Sequence, residues 1–325
     1  MQDLITVFGG SGFLGSQVVR ALARKGVNVR VAVRQPHLAH TMRMLGDVGQ
    51  IEVVQANIRD AASIDRALTG ATGVINLVGL LYETGRQKFE AVHVTGSRLI
   101  AAAAKARGIT RFVQMSALGA NPASPSAYAR TKALGEAAVR QEVPETVILR
   151  PSILFGQGDD FFNRFGEMAV MSPVLPLIGG GHTLFQPVFV GDVAQAVVKA
   201  VMDPAQQGKT FELGGPGTFS FRQVLELILK VTGRKRLLAP LPFGLAGLMG
   251  KVFELAALTP IAPPLTSDQV TLLKTDNVVS GTCPGLADLG ITPETVEAIL
   301  PTYLYRFRKG GQFAEEVARQ SAPII

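Results

Sequence analysis

A glycine-rich segment lies directly after the first apolar run of this 325-residue chain. That run, Leu4–Phe8, has the composition of a buried β-strand, and helical spacing begins at residue 15 and continues to 25. Glycines at a strand-to-helix turn let the backbone approach a pyrophosphate, and the helix N-terminus presents unpaired N–H groups. The segment therefore predicts a dinucleotide-binding loop, or else a glycine-rich turn without a ligand; its residues are Gly9, Gly10, Ser11, Gly12, Phe13, Leu14 and Gly15.

Short apolar runs alternate with helix-like segments through the first half of the chain. Such alternation predicts a parallel sheet covered on both faces and wound by right-handed crossovers. Two later runs, with a helix at 192–202 between them, are expected to join the same sheet. The predicted fold class is α/β, a Rossmann-type doubly wound parallel sheet with a smaller, mainly helical C-terminal lobe. The predicted strands are 4–8, 29–33, 51–55, 73–78, 112–115, 146–149, 188–190 and 211–213, and the predicted helices 15–25, 62–68, 89–107 and 128–141.

The sequence pattern changes after residue 151. The stretch 156–186 is rich in Phe, Met, Pro and Gly, and the stretch from 216 onward reads as mainly helical, with proline-rich breaks at 240–242 and 260–264. We therefore expect a second lobe built from two separated pieces of chain at the edge of the sheet. The predicted domains are an NAD(P)-binding Rossmann domain, 1–155 plus 187–215, and a C-terminal lobe, 156–186 plus 216–325.

Composition excludes several classes of protein. Apolar residues make up 47% of the chain and charged residues 18%, so a large core can form. One cysteine and four histidines without ligand spacing predict no disulfide and no metal site. The sequence has neither an apolar run of membrane-spanning length nor a secretory signal, which predicts a cytoplasmic location. The net charge of +7 favours anionic partners, but dispersed basic residues predict no nucleic-acid binding.

The residue after the second predicted strand distinguishes the two nicotinamide cofactors. An acidic side chain there binds the ribose 2′-OH of NAD, whereas an arginine accommodates the 2′-phosphate of NADP. This chain has Arg34 at that place, and its planar guanidinium suits a phosphate. The sequence therefore predicts NADPH, with NAD as the weaker alternative; a solvated surface arginine is the other interpretation.

Further candidate residues follow from the geometry of a parallel sheet, which binds ligands at the carboxyl ends of its strands. Ordinary loop packing is an equal alternative for each of them. The candidates are Asn57 and Ile58 near the adenine, Leu77, Val78 and Gly79 near the ribose and pyrophosphate, and Met115, Ser116, Pro151, Ser152 and Ile153 near the nicotinamide.

A Y-x-x-x-K pattern follows the fifth predicted strand. Tyr128 and Lys132 are four residues apart, so on a helix their side chains lie on one face. A nearby cation favours phenolate and lowers the pKa of a tyrosine, which suits proton exchange with a carbonyl or carbinol. The pair is a candidate catalytic site.

These motifs together resemble the extended short-chain dehydrogenase/reductase superfamily over residues 3 to 215. Arg150-Pro151 and the segment Val190-Gly191-Asp192-Val193-Ala194 add to the resemblance. The resemblance implies a Rossmann domain with a small C-terminal lobe. It also implies a catalytic hydroxyl shortly after strand five, but that position falls at Ala117, and Ser116 stands one place early. The usual asparagine of helix four falls at His93. Catalysis by Tyr128 and Lys132 is therefore in doubt, and the pair instead holds the nicotinamide ribose in the alternative reading.

Four segments of the C-terminal part, 267–270, 272–279, 288–291 and 300–304, follow one another in order, and the segment 116–120 precedes them. Together they are similar to the nucleotide-binding accessory subunits of respiratory complex I. This resemblance covers nearly the whole chain. It implies a tightly bound NADPH in a structural or regulatory role and docking on core subunits near the quinone site, with membrane-surface lipids as further contacts. The expected location is the cytoplasmic side of a bacterial inner membrane, or the matrix side for a trimmed organelle chain.

Three functions stay open at this point. The first is a non-catalytic, NADPH-binding accessory subunit that supports assembly or stability of complex I. The second is an NADPH-dependent oxidoreductase or epimerase acting on a quinone precursor or a nucleotide sugar. The third, a regulator that binds RNA and senses NADPH, rests on the positive charge alone and predicts salt-sensitive retention on nucleic acid.

An apolar stripe at helical spacing lies within residues 237–258, after the basic run 234–236. Such a stripe fits a membrane surface or a partner. The preferred interpretation is a core helix of the second lobe. The stripe consists of Leu245, Leu248, Met249, Val252, Phe253 and Ala256.

Overall fold

The computed structural model describes residues 3–256 and 263–313. Parts of the predicted C-terminal lobe, residues 257–262 and 314–325, lie outside the described residues, as does the first part of the break predicted at 260–264. The described part contains thirteen strands, numbered in chain order: β1 Leu4–Phe8, β2 Asn28–Val33, β3 Ile51–Gln55, β4 Gly73–Asn76, β5 Phe112–Met115, β6 Val147–Pro151, β7 Leu154–Phe155, β8 Val174–Ile178, β9 Leu184–Phe185, β10 Val188–Phe189, β11 Thr210–Leu213, β12 Phe219–Ser220 and β13 Leu237–Leu241.

Eleven α-helices occur in the same described ranges, with short 3₁₀ segments between some of them. A π-helical segment, Glu90–Gly96, runs directly into the third α-helix. The α-helices are α1 Phe13–Arg24, α2 Ala61–Ala67, α3 Ser97–Ala106, α4 Ala127–Glu142, α5 Phe161–Met171, α6 Val190–Met202, α7 Phe221–Thr232, α8 Phe243–Ala256, α9 Ser267–Leu272, α10 Val296–Ile299 and α11 Pro301–Leu304.

Seven of the strands form one parallel sheet in the order β11-β6-β5-β4-β1-β2-β3. The chain winds outward in opposite directions from β1, so the strand order reverses between β1 and β4. Phe8 of β1 is in register with Ala32 of β2 and with Asn76 of β4, which brings three carboxyl ends together. Ligands bind at such a topological switch point. The predicted doubly wound Rossmann-type sheet with a helical C-terminal region is confirmed.

The predicted strand at 188–190 does not join this sheet. Val188 and Phe189 instead pair in parallel with Leu154 and Phe155, because the Val188 N–H donates to the Ile153 carbonyl, beyond the end of β6. The edge beside β6 is taken by β11, which does join the sheet as predicted. The expectation that both late strands rejoin the sheet was therefore half wrong.

Apolar side chains of the described residues pack into three clusters. One lies between the sheet and helices α1 and α6, and a second lies under α2, α3 and α4 on the opposite face. The third cluster draws on two separate stretches, from Phe155 to Phe185 and from Phe221 to Phe307. This packing agrees with a lobe built from two pieces of chain, whose exact boundaries stay a prediction. Within the described ranges, no helix is long and apolar enough to cross a membrane.

Candidate nucleotide-binding site

The glycine loop turns between β1 and α1 at the switch point. Gly9 has a φ of +77°, a backbone conformation that residues other than glycine rarely adopt. A Cβ atom on Gly15 would lie 2.3 Å from the Gly9 carbonyl oxygen, and one on Gly10 would lie 3.0 Å from Val31. Gly12 caps α1 without a side chain, so the first N–H groups of the helix are open to a ligand. The loop has the close backbone packing that a pyrophosphate cradle needs.

A cleft of about 290 Å³ lies at the carboxyl ends of β2 and β3. Arg34 lines it from the end of β2, and Arg66 lines it from α2. Sequence reasoning missed Arg66, because only the fold brings α2 to this place. Two guanidinium groups in one cleft form a setting for a phosphate. The other lining residues are Gln55, Asn57, Asp60 and Ser63, and Asp60 also caps α2 through the Ala62 N–H.

The predicted residues after strands β3 to β6 all lie at the carboxyl edge of the sheet. The segment after β4, residues 77–79, is shaped by Asn76, whose Oδ1 accepts the Val78 N–H at 3.2 Å. The Asn76 amide donates to Gln114 Oε1 at 2.9 Å and to Ser97 Oγ at 3.1 Å. This buried polar network fixes the ends of β4 and β5, and the sequence pattern did not indicate it.

Ser116 and Ser152 have different surroundings at this edge. The Ser152 hydroxyl donates to Asn277 Oδ1 at 2.6 Å, so a neighbouring loop already engages it. Ser116 Oγ is the one buried side-chain polar atom in the described part of the chain with no hydrogen-bond partner. A buried hydroxyl without a partner costs free energy, which a ligand at the site would recover. The glycine cradle and this hydroxyl both fit a nicotinamide dinucleotide.

Tyr128 and Lys132 lie one turn apart on α4, as predicted. The Lys132 Nζ atom is 5.8 Å from the centre of the half-buried Tyr128 ring and donates to the Met115 carbonyl at 3.4 Å. Burial lowers the pKa of Lys132 to about 8. Burial, and next the charge of Asp268, raise the pKa of Tyr128 to about 12. The prediction that the ammonium lowers the tyrosine pKa was wrong, because burial of the phenol and the negative charge of Asp268 both disfavour the phenolate.

His93 is buried in the π-helical segment, against Tyr128 and the ring of Phe89. Its Nε2 atom accepts the Leu80 N–H at 3.0 Å, so the proton of the neutral ring sits on Nδ1, which donates to Thr131 Oγ1 at 3.1 Å. Burial, together with the charge of Lys132, lowers the pKa of His93 to about 3. The ring is therefore a neutral structural link between the loop after β4 and helix α4.

The predicted helix at 89–107 differs from the structure in one respect. Its first part is the π-helical segment Glu90–Gly96, and only the second part is α-helical. Helix α4 approaches it closely, since a Cβ on Gly135 would lie 2.2 Å from the His93 carbonyl oxygen. A π-helical turn re-aims the side chains that follow, and such turns are frequent at functional sites.

The C-terminal motif residues pack on the same edge of the sheet. Asn277 lies between Ser152 and β9, and the Ser280 N–H donates to Glu212 Oε2 at 2.6 Å. Asp192 of the V-G-D-V-A segment accepts the Glu294 N–H at 2.8 Å, and burial raises its pKa. These contacts attach the C-terminal lobe to the sheet and to helix α6. Among the described residues, no group of three or more His, Cys, Asp or Glu could hold a metal ion.

The fold and site together define a protein of the extended short-chain dehydrogenase/reductase class. The sheet order, the glycine loop at its switch point and the tyrosine–lysine pair on α4 are its distinguishing features. The chain belongs to the NmrA-like family, whose model matches residues 1–243.

Comparison with known proteins extends this beyond the family model. The chain is 38% identical over 315 residues to NADH dehydrogenase [ubiquinone] 1 alpha subcomplex subunit 9, mitochondrial, of Mus musculus, covering 96% of this chain and 82% of the relative. It is also 37% identical over 177 residues to the ceramide reductase of Caulobacter vibrioides, covering 54% of each. The fold is similar to that of the NADPH-dependent quinone oxidoreductase QOR2 of Escherichia coli, with a TM-score of 0.71 and 21% identity, covering 90% of this chain and 97% of that one.

Proposed function

We propose that this chain is an NADPH-binding, non-catalytic accessory subunit of respiratory complex I, which supports its assembly or stability. The observation that carries the proposal is the similarity to the mouse complex I subunit over 96% of the chain. That similarity continues past residue 243, where the family model ends, into the C-terminal residues that pack on the sheet edge. The similarity to a complex I subunit therefore includes the C-terminal lobe as well as the nucleotide-binding domain.

The cofactor we propose is NADPH. Arg34 and Arg66 line one cleft at the end of β2, where the 2′-phosphate of NADPH would lie. The adenine would lie near Asn57 and Ile58, and the pyrophosphate on the loop 9–15. The nicotinamide half would lie among Met115, Ser116, Pro151 and Ile153, with its ribose held by Tyr128 and Lys132. A ligand present at a thousandfold its dissociation constant stabilises the folded state by about 4 kcal/mol.

The surface that we propose for docking is the outer face of α8. Leu245, Leu248, Met249 and Val252 are all exposed there, while Ala246 and Gly250 face inward. The preferred prediction that this stripe belongs to the core was therefore wrong at those four positions; the side chain of Ala256 lies outside the described ones. Exposed Lys251 borders the face, which favours an anionic membrane surface as its occupant.

The proposed location is peripheral, at the membrane beside the core subunits of complex I near the quinone site. A native gel of mildly solubilised membranes tests this, with a stain for NADH dehydrogenase activity and an antibody against this chain. We expect the chain to migrate with the active complex, and the nucleotide extracted from that band to be NADPH. A soluble band of low mass would contradict the proposal.

A second candidate function is an NADPH-dependent reductase acting on a carbonyl. The observation that favours it is the Tyr128–Lys132 pair, which lies at the same edge of the sheet as the unpartnered hydroxyl of Ser116, one place before the expected catalytic position. The ceramide reductase similarity covers 54% of the chain and adds support. This candidate predicts NADPH oxidation by the purified chain with a lipid, quinone or sugar carbonyl, whereas the accessory-subunit proposal predicts none.

A further inference from the structure

The N-terminus of α4 is held by a carboxylate from the C-terminal lobe. Asp268 Oδ1 accepts the Ala127 N–H at 2.7 Å, and Oδ2 accepts the Tyr128 N–H at 3.2 Å. Oδ2 also accepts the Ser126 hydroxyl at 2.8 Å, although Asp268 follows Ser126 by 142 positions in the chain. A carboxylate at a helix N-terminus is favoured by the unpaired N–H groups and by the helix dipole. This contact therefore fixes the first turn of α4, in which Tyr128 lies.

This carboxylate is not needed merely to form the helix. Ser126 already caps α4, because its Oγ accepts the Ala129 N–H at 3.2 Å. Helices α2 and α10 are capped in the same way by the residue that precedes them. Helices α7 and α9 also have such a cap, and each has one further N–H bonded by a distant group: Phe221 N–H donates to the Thr183 carbonyl, and Ser267 N–H donates to Glu254. On α4 the additional partner is the carboxylate of Asp268, and α4 is the helix that carries Tyr128 and Lys132. The Asp268 carboxylate therefore affects the position of α4 as well as its stability.

Asp268 is itself held in place by α8. The Ser267 N–H and hydroxyl donate to Glu254 Oε1 at 2.7 and 2.8 Å. Gly250 packs on the backbone of α9, where a Cβ would lie 2.7 Å from the Ser267 nitrogen. Thr266 and Gln269 cap the same helix reciprocally. The position of the carboxylate thus follows from the packing of the C-terminal lobe.

We propose that Asp268 is a positioning residue of the nucleotide site, through which the C-terminal lobe holds Tyr128 and Lys132 against the nicotinamide end of the pocket. The proposal rests on the proposed binding of a nicotinamide nucleotide. Tyr128 faces Phe89 and His93 on one side, and Lys132 reaches the Met115 carbonyl at the end of β5. A shift of the first turn of α4 would move both side chains together. The site is complete only when the C-terminal lobe is docked.

The test uses the full chain with Asp268→Asn, a change of charge with little change of shape. NADPH contacts the whole pocket, whereas 2′,5′-ADP occupies only the adenosine end near Arg34. We expect the variant to bind NADPH about tenfold more weakly, the size of one lost charge-assisted hydrogen bond, and to bind 2′,5′-ADP like the wild type. Isothermal titration calorimetry measures both. The matched control is Asp276→Asn, which also removes a carboxylate that accepts a backbone N–H, that of Leu184, but leaves α4 untouched.

Amide hydrogen exchange of nucleotide-free protein provides a second readout. Exchange in residues 126–132 should become faster in Asp268→Asn and stay unchanged in Asp276→Asn. Unchanged exchange in residues 126–132 would overturn the role of Asp268. Equally weakened binding of NADPH and 2′,5′-ADP in both variants would also overturn it, because that outcome means a general loss of structure in the protein. If the wild-type chain binds neither ligand, the nucleotide proposal fails, and the exchange measurement still decides whether Asp268 positions the helix.

Discussion

Gly15 packs so closely on Gly9 that a Cβ atom at position 15 would lie 2.3 Å from the Gly9 carbonyl oxygen. The neighbouring contact is backbone rather than the end of a flexible side chain, so it cannot move aside cheaply. Gly12 in the same loop is different, because a Cβ there would meet the Gly9 oxygen at 3.4 Å, an ordinary contact. Close packing therefore requires a glycine at position 15, whereas at position 12 the structure has room for a side chain.

Replacing Gly15 with alanine should lower the free energy of unfolding by about 1–3 kcal/mol, the usual cost of forcing an extra methyl group into packed structure. Gly12→Ala should cost less than about 1 kcal/mol, because only a modest preference for glycine at the helix cap is lost. Urea unfolding of both variants without nucleotide measures the difference. Equal losses would mean that the close approach of Gly15 to Gly9 has no energetic weight.

Arg34 and Arg66 should together set the preference for NADPH. Arg34→Asp and Arg66→Gln should each weaken NADPH binding by about tenfold or more, and NADH binding far less, because only NADPH carries the 2′-phosphate. Calorimetric titration with both nucleotides gives the ratio. Arg222→Gln on α7, outside the cleft, is the control and should change neither affinity. An equal loss of NADPH and NADH affinity in Arg34→Asp would exclude the proposal that Arg34 binds the 2′-phosphate.

The sheet could be predicted from the sequence because its signals are local. The strands at 4–8, 51–55 and 112–115 have the predicted bounds. The first and last are mostly buried runs, and the edge strand at 51–55 keeps the β-branched residues Ile51, Val53 and Val54 although it is only partly buried. The short strand at 188–189 was misplaced because a two-residue ladder depends on what lies beside it. The π-helical turn around His93 was missed for a similar reason: the register of that segment depends on contact with α4 at Gly135.

The site residues near the glycine loop could also be placed from sequence, but their surroundings could not. Arg66, Thr131 and Asp268 come from other elements, and no local pattern connects them with Arg34, His93 or Tyr128. The raised pKa of Tyr128 depends on burial and on Asp268, which only the assembled lobes bring together. The exposed stripe on α8 has the spacing of a core helix, and periodicity alone does not say which side the core lies on.

His93 should make stability depend on pH. Its pKa is about 3 in the folded protein and near 6.5 in the unfolded chain, so between these values only the unfolded state binds the proton. Its contribution to stability is complete above pH 6.5 and falls as the pH falls, by up to about 1.4 kcal/mol per unit. His93→Gln should flatten this slope, measured by urea unfolding at several values between pH 4.5 and 7.5. An unchanged slope would contradict the assignment, and the exposed His37→Gln serves as the control.

Leu248 should matter for docking and not for folding. It is 60% exposed on the outer face of α8, so Leu248→Glu should change the unfolding free energy by less than about 0.5 kcal/mol. Ala246 is fully buried on the same helix, and Ala246→Glu should cost about 3 kcal/mol or more. Co-sedimentation with phosphatidylglycerol vesicles should be strong for the wild type and for Leu38→Glu, an exposed leucine elsewhere, and weak for Leu248→Glu. If the Leu248→Glu variant no longer co-migrates with complex I but still binds vesicles like the wild type, the outer face of α8 contacts a protein subunit instead of the membrane.

Tyr128→Phe separates the two candidate functions. The phenylalanine ring keeps the edge contacts with Phe89 and His93, so the fold of the site should persist while the hydroxyl is lost. For an accessory subunit, we expect complex I to assemble and cells to respire as with the wild type, and NADPH to stay bound with lower affinity, since one contact to the ribose is lost. Native gels, oxygen consumption and nucleotide extraction measure these, with Tyr305→Phe as the control. A reductase needs a proton donor at the carbonyl. If a lipid, quinone or sugar product is lost in Tyr128→Phe while complex I still assembles, the chain is a reductase and the accessory-subunit proposal is wrong.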